Sequence, residues 1–288
     1  MKLYETKGVQ TLCHLFDRAE EKWESEAFIK LLAGILVIAF LGSLLLIFLR
    51  NFGYLSWKII PMNPFKSIEM AFTLLLFFEV IALVFSLVKS VSKSMEIQLQ
   101  ILSLILLRDA FKLFGSFPEN FTWSLIEHQV IFMFVDAFGA LLIFAAIIFI
   151  RKYDQHHSIC NTIDKQKSFV SVKKIIALLL MTVFLLMIGF DITYFFLQKH
   201  TFNFFHLFFT LLIFNDILMV LISMRYSGSY RILFRNSGYA LATITMRLAL
   251  ELPQPYNVVV GLGAAVFVFS LVITYNRIPL PYGEEEKA

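Results

Sequence analysis

Four charged side chains lie inside otherwise apolar stretches of this 288-residue chain, and they are the residues best suited to chemistry. They are two acids, Glu79 and Asp216, and two arginines, Arg108 and Arg247. Within a membrane, a carboxylate beside a guanidinium neutralises it, or forms a polar path on which an ion, a proton or an anion binds. Their chemistry therefore depends on the elements that hold them and on their depth in the bilayer.

The composition predicts a membrane protein, because 59% of the residues are hydrophobic and only 16% are charged. Soluble domains are about 45–50% apolar. Runs of about 20 apolar residues span a bilayer as helices. Eight apolar runs lie at 29–49, 68–88, 97–114, 128–150, 173–197, 204–224, 233–250 and 256–275. We therefore expect an all-α polytopic membrane protein with about eight transmembrane helices, of which the third and seventh are the least apolar.

The distribution of Lys and Arg predicts the orientation. With the N-terminus placed in the cytoplasm, 18 of the 25 Lys and Arg residues fall on the cytoplasmic side, five fall outside, and two lie within spans. Because these cations accumulate in cytoplasmic loops, the bias predicts that both termini are cytoplasmic.

The two halves of the chain resemble each other, which predicts an internal repeat. The stretch KLLAGILVIAFL, which starts at Lys30, shares five of twelve residues with KIIALLLMTVFL, which starts at Lys174. The stretches that start at Phe72 and Phe209 share six of fifteen residues. Polar matches carry the most weight: Lys30 with Lys174, Thr73 with Thr210, Glu79 with Asp216, and Ser86 with Ser223. Since each copy has an even number of spans, we expect two parallel four-helix repeats, side by side.

These patterns divide the chain into five segments. The first is amphipathic, because Val9, Leu12, Phe16, Ala19 and Trp23 recur at helical spacing, and we expect it to lie on the membrane or on the protein. The segments are an N-terminal amphipathic cytoplasmic or interfacial helix (1–28), a first four-helix membrane unit (29–152), a cytoplasmic linker (153–172), a second four-helix membrane unit (173–277) and a C-terminal tail (278–288).

The depths of the four charged residues in the bilayer indicate which of them form pairs. At 1.5 Å per residue, Glu79 lies about 15 Å and Arg108 about 20 Å from the inner surface, and Asp216 and Arg247 lie at about 14 and 18 Å. We therefore expect Glu79 to pair with Arg108, and Asp216 with Arg247, between the second and third helices of each unit. Three further acids are accessory candidates: Asp109 and Asp136, which would join the first pair, and Asp191.

Two interpretations of the pairs stay open. Buried ion pairs often fix helix rotation and register without adding stability, so both pairs could be structural staples. Alternatively, an ion, a proton or an anion binds or passes at these polar positions.

Other motifs of catalysis are absent from the sequence. It has no glycine-rich phosphate loop, HExxH, GxSxG or CxxC motif, so we expect no enzyme, cofactor or metal site. His128 and His206, at the outer ends of spans, are the basis of an alternative, a haem or quinone redox subunit. The net charge of +4 comes from the inner loops and predicts contact with anionic lipid headgroups, with no nucleic-acid partner.

The run Phe78 to Leu83, the basic inner turn that follows it and Arg108 late in the third span form a pattern. This pattern resembles the phosphate-starvation-inducible E (PsiE) family of small four-helix membrane proteins. The second unit is similar in layout, so the chain resembles a tandem duplication of that unit, from Lys30 to Arg277. It differs from the family in three ways: two units are fused in one chain, Asp216 stands where the family has glutamate, and an amphipathic helix precedes the first unit. The resemblance implies a bacterial inner membrane and a link to phosphate stress.

The leading expectation is a non-enzymatic ion or small-solute channel or transporter that acts as a homo-oligomer. The competing class is a structural or sensory membrane subunit, in which the basic inner loops and the N-terminal helix dock a protein partner on the cytoplasmic face.

Overall fold

The computed structural model describes residues 6–54, 61–118, 122–153, 163–196, 204–226 and 230–277. Within these ranges the chain forms nine α-helices, one short 3-10 turn at Leu113–Ser116 and no strand. The helices are α1 (Lys7–Glu24), α2 (Glu26–Asn51), α3 (Lys66–Ser86), α4 (Val91–Lys112), α5 (Trp123–Tyr153), α6 (Ile163–Phe196), α7 (Phe204–Tyr226), α8 (Tyr230–Glu251) and α9 (Tyr256–Arg277). The prediction of an all-helical chain is confirmed.

Each of the eight predicted apolar runs coincides with one of the helices α2 to α9. Six of these helices, α2, α3, α5, α6, α7 and α9, are long and apolar enough to cross a membrane, judged by length and composition. The helices α4 and α8 are not among them. The chain is therefore a multi-pass membrane protein by its six apolar helices, and the count of eight spans stays a prediction.

The helices α4 and α8 are less apolar because their polar side chains face other helices. Arg108, Gln98 and Ser94 of α4 are buried, as are Arg247 and Thr243 of α8. In a bilayer, small and polar residues are favoured where helices meet, since lipid tails give no hydrophobic driving force between helices. A helix enclosed by protein therefore needs less hydropathy than one that faces lipid.

Two apolar clusters form the core. The first joins α4, α5, α8 and α9, with Leu102, Ile143, Ala249 and Val268 at its centre. In this bundle α4 packs on α5 and on α8, and α9 packs on the same two helices. The second cluster joins α1, α3, α4, α6 and α7. The helix α2 packs mainly on α3 and leaves much of its apolar surface exposed.

The predicted linker at 153–172 is shorter in the structure. The helix α6 begins at Ile163, ten residues before the predicted span, so only residues 154–162 lie outside the described residues there. The helix α6 packs on α1, and its Lys174 forms an ion pair with Asp17 of α1 at 2.6 Å. The tail at 278–288 lies outside the described residues.

The amphipathic helix α1 lies against the protein. Phe16 is 1% exposed and packs on the Phe85 ring at 5.5 Å between centroids, and Trp23 packs on Phe28 and Phe85. Lys89, in the turn between α3 and α4, forms ion pairs with Glu20 at 2.6 Å and Glu24 at 2.9 Å. The sequence left open whether α1 lies on the membrane or on the protein, and these contacts place it on the protein.

We predict that Lys89→Gln weakens the docking of α1. Burial of Lys89 opposes its charge, but the contacts with Glu20 and Glu24 outweigh burial, so its pKa lies above the usual 10.5. A partly exposed network of this kind contributes about 0.5–1 kcal/mol. Because the folded-state pKa is raised, this stabilisation is present at pH 7 and is lost as the pH rises past about 10.5. Melting temperatures in detergent at pH 7 and pH 11 measure both effects.

The matched control for that variant is Lys93→Gln. Lys93 lies four residues further along the chain and forms its ion pair with Glu96 of its own helix, at 3.1 Å. The variant Lys93→Gln should leave the pH dependence of the melting temperature unchanged. Equal melting of wild type and Lys89→Gln at pH 7 would show that these contacts do not hold α1.

Candidate functional site

The pair of Asp216 and Arg247 joins α7 to α8. Nε of Arg247 donates to Oδ2 of Asp216 at 2.7 Å, and Nη2 donates to Oδ1 at 3.1 Å. Arg247 is 2% exposed and Asp216 is 5% exposed. Two parallel hydrogen bonds between charged groups are stronger and more directional than one. Nη1 of Arg247 is buried without a hydrogen-bond partner among the described residues.

The pair of Glu79 and Arg108 joins α3 to α4 in the same way but with looser geometry. Nη1 of Arg108 donates to Oε2 of Glu79 at 2.7 Å, and Nη2 donates to Asp109 at 3.1 Å. Glu79 and Arg108 are both buried, whereas Asp109 is half-buried. One guanidinium therefore serves two acids here, which leaves an acidic excess that the second pair lacks.

The surroundings of the two pairs match in detail. The hydroxyls of aligned residues bond equivalent backbone carbonyls: Thr73 to Glu69 and Thr210 to His206, four residues back, and Ser86 to Leu83 and Ser223 to Val220, three residues back. These bonds let a polar residue sit in an apolar helix, because the hydroxyl is satisfied locally.

Asp136 does not bond to the first pair, contrary to the prediction. This fully buried carboxylate of α5 accepts hydrogen bonds from Nδ2 of Asn257 at 3.1 Å and from Gln254. Both amides lie where α8 turns into α9, because α5 packs on α9 and points Asp136 at that turn. Asp136 therefore ties the two halves of the chain together.

The remaining predicted positions lie apart from the pairs. Asp191 is half-buried near the end of α6, and its Oδ1 has no partner among the described residues. Nδ1 of His206 lies 2.9 Å from Glu251, and His128 is exposed on α5. Within the described ranges, no group of three or more His, Cys, Asp or Glu side chains is placed to hold a metal ion.

A polar cavity leads to the second ion pair. It lies between α3, α4, α6, α7 and α8, at the end of the bundle that carries the turn of Lys89. Its space, including the part open to solvent, is about 510 Å³. The polar side chains that line it are Ser94, Gln98, Lys173, Asp216, Ser223, Asn236, Tyr239 and Thr243. Asp216 is thus reached from this cavity, and we call it the Lys173 cavity.

Lys173 is a functional candidate that sequence reasoning missed. It is 6% exposed, and its ammonium donates to the backbone carbonyl of Lys89 at 2.8 Å and lies 5.4 Å from the Phe169 ring centre. Among the described residues, no carboxylate lies within ion-pair distance of it. The sequence signal was the repeat itself: Lys174 aligns with Lys30, so Lys173 aligns with the apolar Ile29.

Buried charges are distributed unequally between the halves. Among the described residues, the buried charged side chains of α3 to α5 are one cation and two acids, namely Arg108, Glu79 and Asp136. Those of α6 to α8 are three cations and one acid, namely Lys173, Arg235, Arg247 and Asp216. Arg235 lies over the Tyr275 ring at 5.0 Å and donates to its hydroxyl at 3.4 Å. The second half therefore carries an excess of buried positive charge.

Comparisons with family models, with curated proteins and with solved structures found no match. The six long apolar helices and the buried charge pairs define the class at a coarse level, a multi-pass α-helical membrane protein.

Proposed function

We propose that this chain is a membrane channel or transporter for an ion or a small solute, in which the two buried carboxylate–arginine pairs form part of the path. The observation that carries the proposal is the Lys173 cavity, which opens at one end of the bundle and reaches Asp216 of the second pair. A pair that only stapled two helices together would need no polar cavity beside it. Intramembrane charges that border a cavity are typical of substrate and ion pathways.

The proposal includes the layout predicted from the sequence. It comprises eight spans in two parallel four-helix repeats, both termini in the cytoplasm, a bacterial inner membrane and a homo-oligomer. The matched hydroxyl bonds support the repeat. The resemblance to the PsiE family is part of the same proposal and rests on the sequence motifs alone.

The test is flux through the purified chain reconstituted in liposomes. Proton, potassium and chloride movement is read from entrapped dyes under imposed gradients. We predict that Glu79→Gln and Asp216→Asn each reduce the flux by about tenfold, because they remove the intramembrane charge but keep the side-chain shape. Glu26→Gln is the matched control, since Glu26 is 89% exposed and bonds only Lys30 of its own helix among the described residues.

Both variants must first be shown to fold, from their melting in detergent. Flux that persists unchanged in folded Glu79→Gln and Asp216→Asn contradicts the proposal. A chain without flux that co-purifies with a partner protein favours the structural or sensory subunit. A visible absorption band in the purified chain favours the redox subunit of His128 and His206.

A further inference from the structure

We propose that the Lys173 cavity binds a small organic anion, a short carboxylate with an apolar body. The inference names the substrate class of the proposed transport function and rests on it, whereas binding itself is measured without flux.

Charge is the first argument. A buried ammonium without a counter-charge is unfavourable, so buried Lys residues are paired as a rule. The Lys173 ammonium has a backbone carbonyl and an aromatic ring as neighbours but no described carboxylate. Asp216, the acid that lines the same cavity, is already neutralised by the two hydrogen bonds from Arg247. The net charge around the cavity is therefore positive, and an anion would complete it.

An unsatisfied polar atom is the second argument. Asn236 is 5% exposed and lines the cavity, and its Oδ1 has no partner among the described residues. When Arg108 is aligned with Arg247, the position equivalent to Asn236 is the apolar Ile97, and Thr243 likewise aligns with Leu104. These polar side chains are thus peculiar to the second unit, and a general requirement of the repeat does not explain them.

The lining selects the kind of anion. Small-molecule sites combine mainly apolar side chains with a few polar groups that fix the orientation of the ligand. Besides the polar groups, the lining contains Leu87, Met95, Phe169, Met219, Val220 and Ala240. A carboxylate on Lys173 with a hydrocarbon chain against these residues uses both parts of the lining.

Binding is tested on the full chain in detergent, with sodium butyrate as the probe and sodium chloride replacing it at constant ionic strength. We expect a saturable rise in melting temperature with butyrate. Lys173→Met should weaken the apparent affinity by about tenfold, and Lys173→Arg should retain it because the charge remains. Lys174→Met is the matched control, since Lys174 pairs with Asp17 of α1 and is not in the cavity.

A second variant separates binding from a structural role of Lys173. Lys173 donates to a carbonyl beside the last turn of α3, so it could serve only as a cap for that helix. Thr243→Leu leaves that contact intact and fills the cavity, and we expect it to weaken butyrate binding as well. Binding that is unchanged in Lys173→Met and Thr243→Leu, or a saturable response to chloride and none to butyrate, overturns the inference. Flux without butyrate binding overturns the inference alone, and binding without flux overturns the transport function alone.

Discussion

Replacing Arg247 with leucine is expected to lower the free energy of unfolding by about 3–5 kcal/mol, because it leaves Asp216 buried without a counter-charge. Asp216 is 5% exposed and receives two hydrogen bonds from Arg247. Its neighbour Asn215 has no hydrogen-bond partner for its side chain among the described residues and is not placed to replace the guanidinium. The measurement is unfolding of the purified chain by a denaturing detergent in mixed micelles.

The double variant Asp216→Leu/Arg247→Leu distinguishes a lost ion pair from a lost side chain. Removing both charges avoids the uncompensated carboxylate, and buried pairs replaced by apolar residues are often as stable as before. We therefore expect the double variant to recover most of the stability that Arg247→Leu loses. Similar losses in the single and double variants would show that packing of the arginine, and not its charge, stabilises α7 against α8.

A surface control sets the scale for these changes. Arg151 forms an ion pair with Glu96, but its side chain is 54% exposed. Arg151→Leu should therefore change the free energy of unfolding by less than about 1 kcal/mol. An effect of Arg247→Leu no larger than this would mean that the pair with Asp216 does not stabilise α7 against α8.

The sequence predicted the helices and the partners of the four buried charges because both depend on position along a helix axis. An apolar run of about 20 residues spans the bilayer as a helix, and the depth of each residue in it follows from the rise per residue. The residues Glu79 and Arg108 lie at similar depth on consecutive helices, and so do Asp216 and Arg247. In both pairs a guanidinium nitrogen lies 2.7 Å from a carboxylate oxygen, as the similar depths predict.

The positions that sequence reasoning missed depend instead on rotation about the helix axis and on which helices are neighbours. Asp136 was an accessory candidate for the first pair, but α5 turns it toward Gln254 and Asn257, more than 100 residues away in the chain. Lys173 was counted only as one of the 18 Lys and Arg residues on the cytoplasmic side. Its burial follows from the packing of α6 on α1, α3 and α7, which hydropathy does not encode.

Gly139 lies where the two halves of the chain meet, and we predict that Gly139→Ala lowers the free energy of unfolding by about 1–3 kcal/mol through overpacking. A Cβ at this position would lie inside van der Waals contact with Cγ1 of Val258 and 3.1 Å from its Cγ2. Val258 is a buried β-branched residue with one preferred rotamer in a helix, so it turns away poorly. Its neighbour Asn257 is held by Asp136, which lies three residues before Gly139, so the start of α9 is fixed as well.

Two other glycines make this prediction specific to the contact between α5 and α9. At Gly263 a Cβ meets nothing within 4 Å, so Gly263→Ala should be neutral or slightly stabilising. At Gly238 the Cβ meets the flexible end of Leu271, which moves more readily than the valine does. Melting temperatures in detergent should therefore fall most for Gly139→Ala, less for Gly238→Ala and not for Gly263→Ala. Equal melting of all three variants would mean that α5 and α9 pack less closely than described, and the junction between the two proposed repeats would lose its tightest contact.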